Sequence, residues 1–477
     1  MSAVRLSPPS RRLLLPIVLS GTFVQLFSVT VMQVGVVDVQ RDLRAGAAET
    51  QLVLAAYTLT YACSLIVSAR LGDKYGYRRM FVTGMALFTA ASIGAAAAPD
   101  AWVLIAARAL QGFGSGLMAP QILSIIQSAV PADRRPAALS AFGATMAAAS
   151  LAGPVLGGVL TQLDPLGLGW RAAMLAVVPV GIAALAFSPA LPSVRGGREP
   201  QRVDPAGAAL SLLGFALLVF PLAMGRETGW LPWTWASLAL AAASLTGFVH
   251  SQRRAADPLV QPSTWSEPAT RRGLVAVLVF NAGVPSFTLL LSMHLQAVKG
   301  WSPLQTGLSL TPYAVGALAG SRIAGNRRLG PRALAASSLA MGLVSVAVPV
   351  LLGDDDLLWL YWLALCAGGV AFGVFTASAF TRIIARARPE AATSVSGLLP
   401  TAQQLGGTLG VTFAGMAYAA PAATASGALW HGMTYEATVF AFAAALCAIG
   451  GRTATRPPAA VLGGEPVERG DRSRRTG

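Results

Sequence analysis

The sequence predicts an all-α integral membrane protein with fourteen transmembrane helices. Three observations carry that prediction. Of the 477 residues 54% are hydrophobic and only 12% charged, with a mean hydropathy of +0.60, whereas a soluble globular chain carries about 25% charge. The apolar residues continue in long runs instead of one-sided stripes, as helices surrounded by lipid require. The basic residues then sort by side. With the N-terminus cytoplasmic, twenty-nine of the thirty-five Lys and Arg fall in the inside segments, which is the positive-inside pattern.

The elements follow in order. Span 1 (13–36) comes after Arg11 and Arg12. It outruns the apolar core of a signal peptide and lacks a small-residue cleavage site, so it is expected to stay as an uncleaved span. Spans 2 (50–69) and 3 (80–98) flank a loop with Arg70, Lys74, Arg78 and Arg79. Spans 4 (101–127) and 5 (137–160) flank Arg134 and Arg135. Span 6 (170–189) leads into the Ser193–Pro205 linker, with Arg195, Arg198 and Arg202. Spans 7 (206–224) and 8 (231–250) precede a second basic linker, Gln252–Arg272. Spans 9 (273–295) and 10 (304–324) lead to Arg322, Arg327, Arg328 and Arg332. Spans 11 (333–352) and 12 (357–379) lead to Arg382, Arg386 and Arg388. Spans 13 (392–419) and 14 (433–450) are separated by a weak Ala/Gly/Pro/Ser spacer, and six more Arg follow position 451. Only Arg41, Arg44, Arg171, Arg226 and Lys299 fall outside, and Arg108 lies within span 4. Losing any one span would put the later basic loops on the wrong side, so an even number of spans and two cytoplasmic termini are expected in a cell membrane.

The layout is therefore six spans, two, and six. It predicts an N-terminal bundle over 1–192, linkers and spans 7 and 8 over 193–272, a C-terminal bundle over 273–450, and a solvated, disordered tail over 451–477. The halves repeat weakly: "AGPVLGG" in span 5 has a counterpart in "QQLGGTLGV" (Gln403–Val411) in span 13, and such repeats mark transporters that rock two bundles about a central site. The net charge of +15 is spread over short loops facing anionic lipid, which argues against a nucleic-acid partner. Cys63, Cys366 and Cys447 lie in separate spans, so neither a disulfide framework nor a metal site is expected. No paired carboxylates, Ser/His/Asp set or His/Cys cluster falls at membrane depth, so no enzyme and no cofactor are expected.

Three motifs narrow the class. "ARLGDKYGYRRMF" between spans 2 and 3 places Asp73 among basic side chains, with Gly72 and Gly76 allowing a tight turn. An Asp there can latch neighbouring bundles through charge-assisted bonds to Arg78 and Arg79; the alternative is an ordinary basic loop. This stretch resembles the loop signature of the major facilitator superfamily, with Ala69 where a first Gly is usual. "LIAARALQGFGSG" (Leu104–Gly116) resembles that superfamily's span-4 motif with its buried Arg, here Arg108. "ASLAGPVLGG", with Gly153, Pro154, Gly157 and Gly158, resembles the span-5 motif associated with antiporters, with Ala149 at its first Gly. Further stretches resemble the 14-span drug:proton antiporter branch: "VQRDL" after span 1, "WRAAMLAVVPVG" at span 6, "DPLVQPSTW" before span 9, "LQAVKGWSPLQTGLSLTP" at spans 9–10 and "SGLLPTAQQLGGTLG" at span 13. The resemblance covers essentially the whole chain. It implies the major-facilitator fold, with two pseudo-symmetric six-helix bundles plus two extra helices. It also implies an exporter of amphiphilic drugs, antibiotics or related metabolites working by alternating access in exchange for protons. A uniporter or proton-coupled importer of a small metabolite on the same fold is the alternative; the span-5 Gly/Pro set speaks against it. A monomer is expected.

The departures concern the coupling ion. Through "VQRDL", the branch's acidic residue in span 1 falls on Ser28, its Asn on Gln33 and its Pro on Val37. An Arg common in span 13 is Gln403, and Arg327 stands where the second loop signature would have Asp. All twenty acidic residues sort into inside or outside segments, Glu436 among those outside, which leaves none at mid-membrane. His294, Asp38 and Asp73 are the candidate proton carriers, and the alternative for His294 is an interfacial, water-facing residue. Arg108 is costly at membrane depth. It either holds spans 1 and 4 together through carbonyls and Gln side chains, Gln111 among the candidates, or contacts substrate. Gln25, Ser28 and Met32 share a face of span 1 at helical spacing and are expected to wall a central cavity, with Asn281 and Gln404 opposite. Without an intramembrane carboxylate, a neutral or anionic amphiphile is expected over a multivalent cation.

Overall fold

The computed structural model describes residues 8–452 except 132, 165–166, 194–203, 226–227, 256–257, 260–266, 327–328, 387–391 and 421–423. Arg327, the first linker's arginines and the tail beyond 452 lie outside the described residues. Helix dominates because every backbone N–H and C=O in lipid must be satisfied within its own segment. No strand occurs among the described residues.

The helices order into fourteen passes. Spans 1 to 5 are single helices, Pro8–Asp42, Ala47–Tyr75, Tyr77–Ala96, Ala101–Ala129 and Arg135–Leu163. Span 6 is broken into Trp170–Leu175 and Val178–Phe187. Spans 7, 8 and 9 are Pro205–Met224, Pro232–Arg254 and Pro268–Ala297. Span 10 is broken into Pro303–Ser309 and Thr311–Asn326. Spans 11 to 14 are Pro331–Leu351, Leu358–Arg386, Ala392–Tyr418 and Ala425–Arg452. The two breaks fall just before Pro179 and Pro312, where the ring removes a backbone donor and disfavours helix in the residue before it. Ten of these helices are individually long and apolar enough to cross a bilayer. Of the other four passes, spans 2, 10 and 13 make contacts between the two halves.

Span 14 differs from its expected start. It begins at Ala425, not 433, because Thr424 caps it by accepting a hydrogen bond from the Gly427 amide (3.1 Å).

Two hydrophobic cores organise the passes. One is built from spans 1–6, around residues such as Phe27, Tyr57, Phe81, Phe88 and Trp170, with Leu289 of span 9 and Val411 of span 13 joining it. The other is built from spans 9–14, around Phe280, Phe287, Tyr361, Phe375 and Phe440. Pairings repeat between the halves. Span 5 packs on span 1 as span 13 packs on span 9, and span 4 packs on span 2 as span 12 packs on span 10. The register repeats too. A Cβ on Gly112 would strike the carbonyl of Tyr57, and one on Gly369 would strike that of Tyr313. Both tyrosines stand ten residues into their spans. Spans 7 and 8 pair with each other, and span 7 lies across spans 2 and 13, covering Leu52, Leu59, Cys63 and Leu405.

We call the end where span 1 starts and span 14 finishes the base, and the other end the crown. The close approaches that join the two halves lie in the crown half. At one seam, a Cβ on Gly158 would stand 2.6 Å from both Leu304 Cα and the Pro303 oxygen, and Gly307 meets the Pro154 carbonyl. At the other, Thr58 and Thr408 share a hydrogen bond (2.6 Å), and Gly415 lies on Gln51. Between the seams, Thr288 donates to Gln33 Oε1 (3.3 Å) and Gln296 to the Val34 carbonyl (2.8 Å).

Candidate functional site

Arg108 sits in span 4 with 1% of its surface exposed. Nη1 donates to Ser28 Oγ (2.9 Å) and to Gln111 Oε1 (2.7 Å), and Nε to the Val53 carbonyl (3.4 Å). The guanidinium lies over the Tyr57 ring, 4.4 Å from its centroid, a cation–π contact worth more when desolvated. Gln111 donates onward to Ser92 (2.7 Å), and Tyr57 shares a hydrogen bond with Ser115 (2.7 Å). Gln25 donates to the Tyr61 hydroxyl. The cluster therefore ties spans 1, 2, 3 and 4 together. Ser28 accepts from the arginine at the position where a carboxylate was expected by resemblance.

This placement corrects the span-1 wall. Gln25, Ser28 and Met32 do share a face, but all three are buried, Gln25 on Tyr61 of span 2 and Ser28 on Arg108 of span 4. Helical spacing says which residues face together, not what they face. Gln33 alone of the span-1 candidates reaches the other half. Asn281 is buried in span 9 and turns back to the Val277 carbonyl (2.8 Å), and Gln404 is half-buried in span 13. The structure does not bring either to Arg108.

The motif loop is also different from its expectation. Asp73 accepts from the Tyr77 hydroxyl (2.7 Å) and makes no ion pair with Arg78 or Arg79 among the described residues. Arg78 reaches Ser193 instead (3.4 Å), and Arg79 is exposed. Gly76 has φ of 99°, which favours glycine, and Gly72 is pressed on the Gln121 side chain. The latch is not made in this conformation. The span-5 set does what close packing requires: Gly153 and Gly157 abut Thr30 and Val31 of span 1, and Gly158 meets span 10.

His294 is 3% exposed. It stands beside Lys299, Pro349, Leu429 and Trp430 at a small crown-end cavity, with Nδ1 lacking a partner. Asp38 is half-buried near the crown end of span 1, and its Oδ2 has no partner.

The residue that sequence reasoning misplaced is Glu436. It lies inside span 14 with 0% exposure, not outside the membrane. Eleven residues from the helix start put it about 16 Å along the axis. A Cβ on Gly283 would stand 2.9 Å from its Oε2 and 2.5 Å from the Phe440 ring. Neither carboxylate oxygen has a hydrogen-bond partner, nor does the buried Tyr313 hydroxyl within its electrostatic reach. The signal was there in the Thr424 cap, which lengthens the span at its crown end.

Residues 18–411 match the family model described as Major Facilitator Superfamily. A protein named "Probable actinorhodin transporter" from Streptomyces coelicolor is 34% identical over 84% of this chain and 71% of its own length. A puromycin resistance protein from Streptomyces alboniger is 31% identical over 88% and 86%. A tetracenomycin C resistance and export protein from Streptomyces glaucescens is 29% identical over 81% and 72%. Among solved structures, a sulfate complex of the peptide transporter POT superposes with a TM-score of 0.67 at 19% identity, covering 92% of this chain and 93% of that one. A bacterial homologue of the lysosomal transporter Spinster, inward-facing and occupied, gives 0.66 at 17% identity over 94% and 98%. These structures share the fold.

Proposed function

The chain belongs to the Major Facilitator Superfamily, a family of transporters and not of enzymes, and from that premise we propose that it exports amphiphilic antibiotic-like molecules in exchange for protons. It is a multi-pass membrane protein; the proposal adds the cell membrane, two cytoplasmic termini and a monomeric unit. The two bundles, 1–192 and 273–450, rock about the pathway between them, with spans 7 and 8 as an accessory pair.

The observation that carries this reading is the closure of the crown. Both seams and the Gln33–Thr288 link join the halves on that side. With cytoplasmic termini, a closed crown is what taking up cargo from inside requires. The kinship to export and resistance proteins supports outward transport. For cargo, a buried arginine with no acidic partner in the N-terminal half favours a neutral or anionic amphiphile over a dication.

The test is accumulation in a susceptible host with and without the gene, using puromycin, tetracenomycin C and a dicationic dye. Lowered accumulation of tetracenomycin C that collapses with the proton gradient is expected. Unchanged accumulation of all three would overturn export, and dye efflux matching that of the neutral drug would overturn the cargo class.

A further inference from the structure

We propose that Glu436 is the proton-carrying group and that its ionisation acts on a built-in break in span 9. The proposal rests on the proton exchange put forward above and names the residue that performs it.

Span 9 carries Pro285 within its helix. Pro285 has no N–H, so the carbonyl of Asn281 loses its helical donor. The Asn281 side chain does not repair this, since it donates to Val277. Gly283 sits in the same turn, and both faces of the break are pressed by neighbours. On one side are the Glu436 carboxylate and the Phe440 ring against Gly283. On the other, Gly406 and Gly410 of span 13 lie on the carbonyls of Leu278 and Ala282, and Gly407 lies 3.0 Å from the Pro285 ring by its Cβ direction. Such a glycine–proline turn between two close neighbours is a place where helix geometry can switch.

Glu436 is stationed at that turn with no cation paired to it and only the Ser286 hydroxyl beside it to support a charge. Span 9 offers it Gly283 and Ser286, whose hydroxyl gives its proton to the Ala282 carbonyl (2.7 Å). Span 10 offers the unbonded Tyr313 hydroxyl, and its own helix offers Tyr435. Span 11 presents Gly342 beside Ala437 and Phe440, and span 13 presents no titratable group here. His294 stands nearer the crown, beside Leu429 and Trp430. None of the ion pairs among the described residues involves Glu436. An unpaired carboxylate in such surroundings is costly, and taking up a proton removes the cost. On losing its proton, the carboxylate requires hydrogen bonds, and the nearest donors are Tyr313 and Ser286. Drawing the Ser286 hydroxyl away from Ala282 changes the broken turn itself. One turn along, Thr288 holds Gln33 of span 1, so the turn is tied to the contact between the halves. The proton comes from water on one side and returns to water on the other; no bond other than the O–H is made or broken.

The experiment uses the full chain in proteoliposomes. Infrared difference spectra between mildly acidic and alkaline pH are recorded for the native protein and for Glu436→Gln, with amide exchange of the 278–288 segment. The expected result is a protonated-carboxyl band that titrates in the native protein and is lost in Glu436→Gln, together with pH-dependent exchange at 278–288 that the variant abolishes. A band that Glu436→Gln leaves in place, or a Glu436 band that never titrates, overturns the proposal. Transport is read separately with tetracenomycin C and an internal pH dye. Glu436→Gln is expected to keep drug counterflow and lose drug-linked proton movement. Proton movement that survives in the variant overturns the proposal, whereas its absence in the native protein overturns the proton-exchange reading itself. Should Glu436→Gln not assemble, Glu436→Asp replaces it, and an unshifted titration there counts against the proposal.

Discussion

Arg108 and Glu436 are the two fully buried charged side chains among the described residues, one in each half, and the halves treat them oppositely. The comparison is close because the register is shared. Arg108 lies four residues before Gly112, and the matching position before Gly369 is Leu365, fully buried. Each half keeps a tyrosine at the same depth, but Tyr57 lies under a cation and bonds Ser115, while Tyr313 lies near a carboxylate and bonds nothing. A buried charge given hydroxyls, an amide and an aromatic face is a permanent fixture of the fold. A buried acid given rings and a bare glycine is held where its proton matters.

The sharpest way to break the comparison is to remove each charge. Arg108→Ala strands Gln111 and Ser28 and empties a filled site, so a loss of about 3 kcal/mol is expected, read as a lower melting temperature in detergent and loss of transport. Next in size is Gly283→Ala, whose methyl would enter the space of Phe440 and Glu436. It should cost about 1–3 kcal/mol by overpacking, seen in the same thermal assay. The tyrosine pair then sharpens the contrast. Tyr57→Phe deletes the Ser115 bond and should cost about 1 kcal/mol, whereas Tyr313→Phe should stay within about 0.5 kcal/mol. Glu436→Leu is expected to leave the melting temperature equal or raised, since it removes a polar group that has no partner. A large loss there would show that Glu436 is bonded after all.

Much of this arrangement is legible in the chain. The Arg distribution and the apolar runs yield the fourteen passes, and the glycines of "AGPVLGG" and "QQLGGTLGV" mark the spans that pack on spans 1 and 9. Arg108 is legible as a deep charge, and its partners follow from spacing only within its own helix, as with Gln111. Ser28 and Tyr57 come from other spans, so their arrival is a matter of how helices rotate against each other. Glu436 falls only three residues into the expected 433–450 span and so reads as its outer rim, whereas the helix start at Ala425 places it deep in the span. The Asp73 latch depends on which conformation the loop occupies, and a motif does not encode that.

The two seams at the crown also differ in what closing them costs in disorder. Gly158 meets the backbone of Pro303 and Leu304, and Gly307 meets that of Pro154, so closing this seam freezes no glycine side-chain rotors. Thr58 and Thr408 must each settle into one hydroxyl orientation before their bond forms. The glycine seam is therefore the part of the closure least sensitive to temperature, and the threonine seam is the part that warming loosens first.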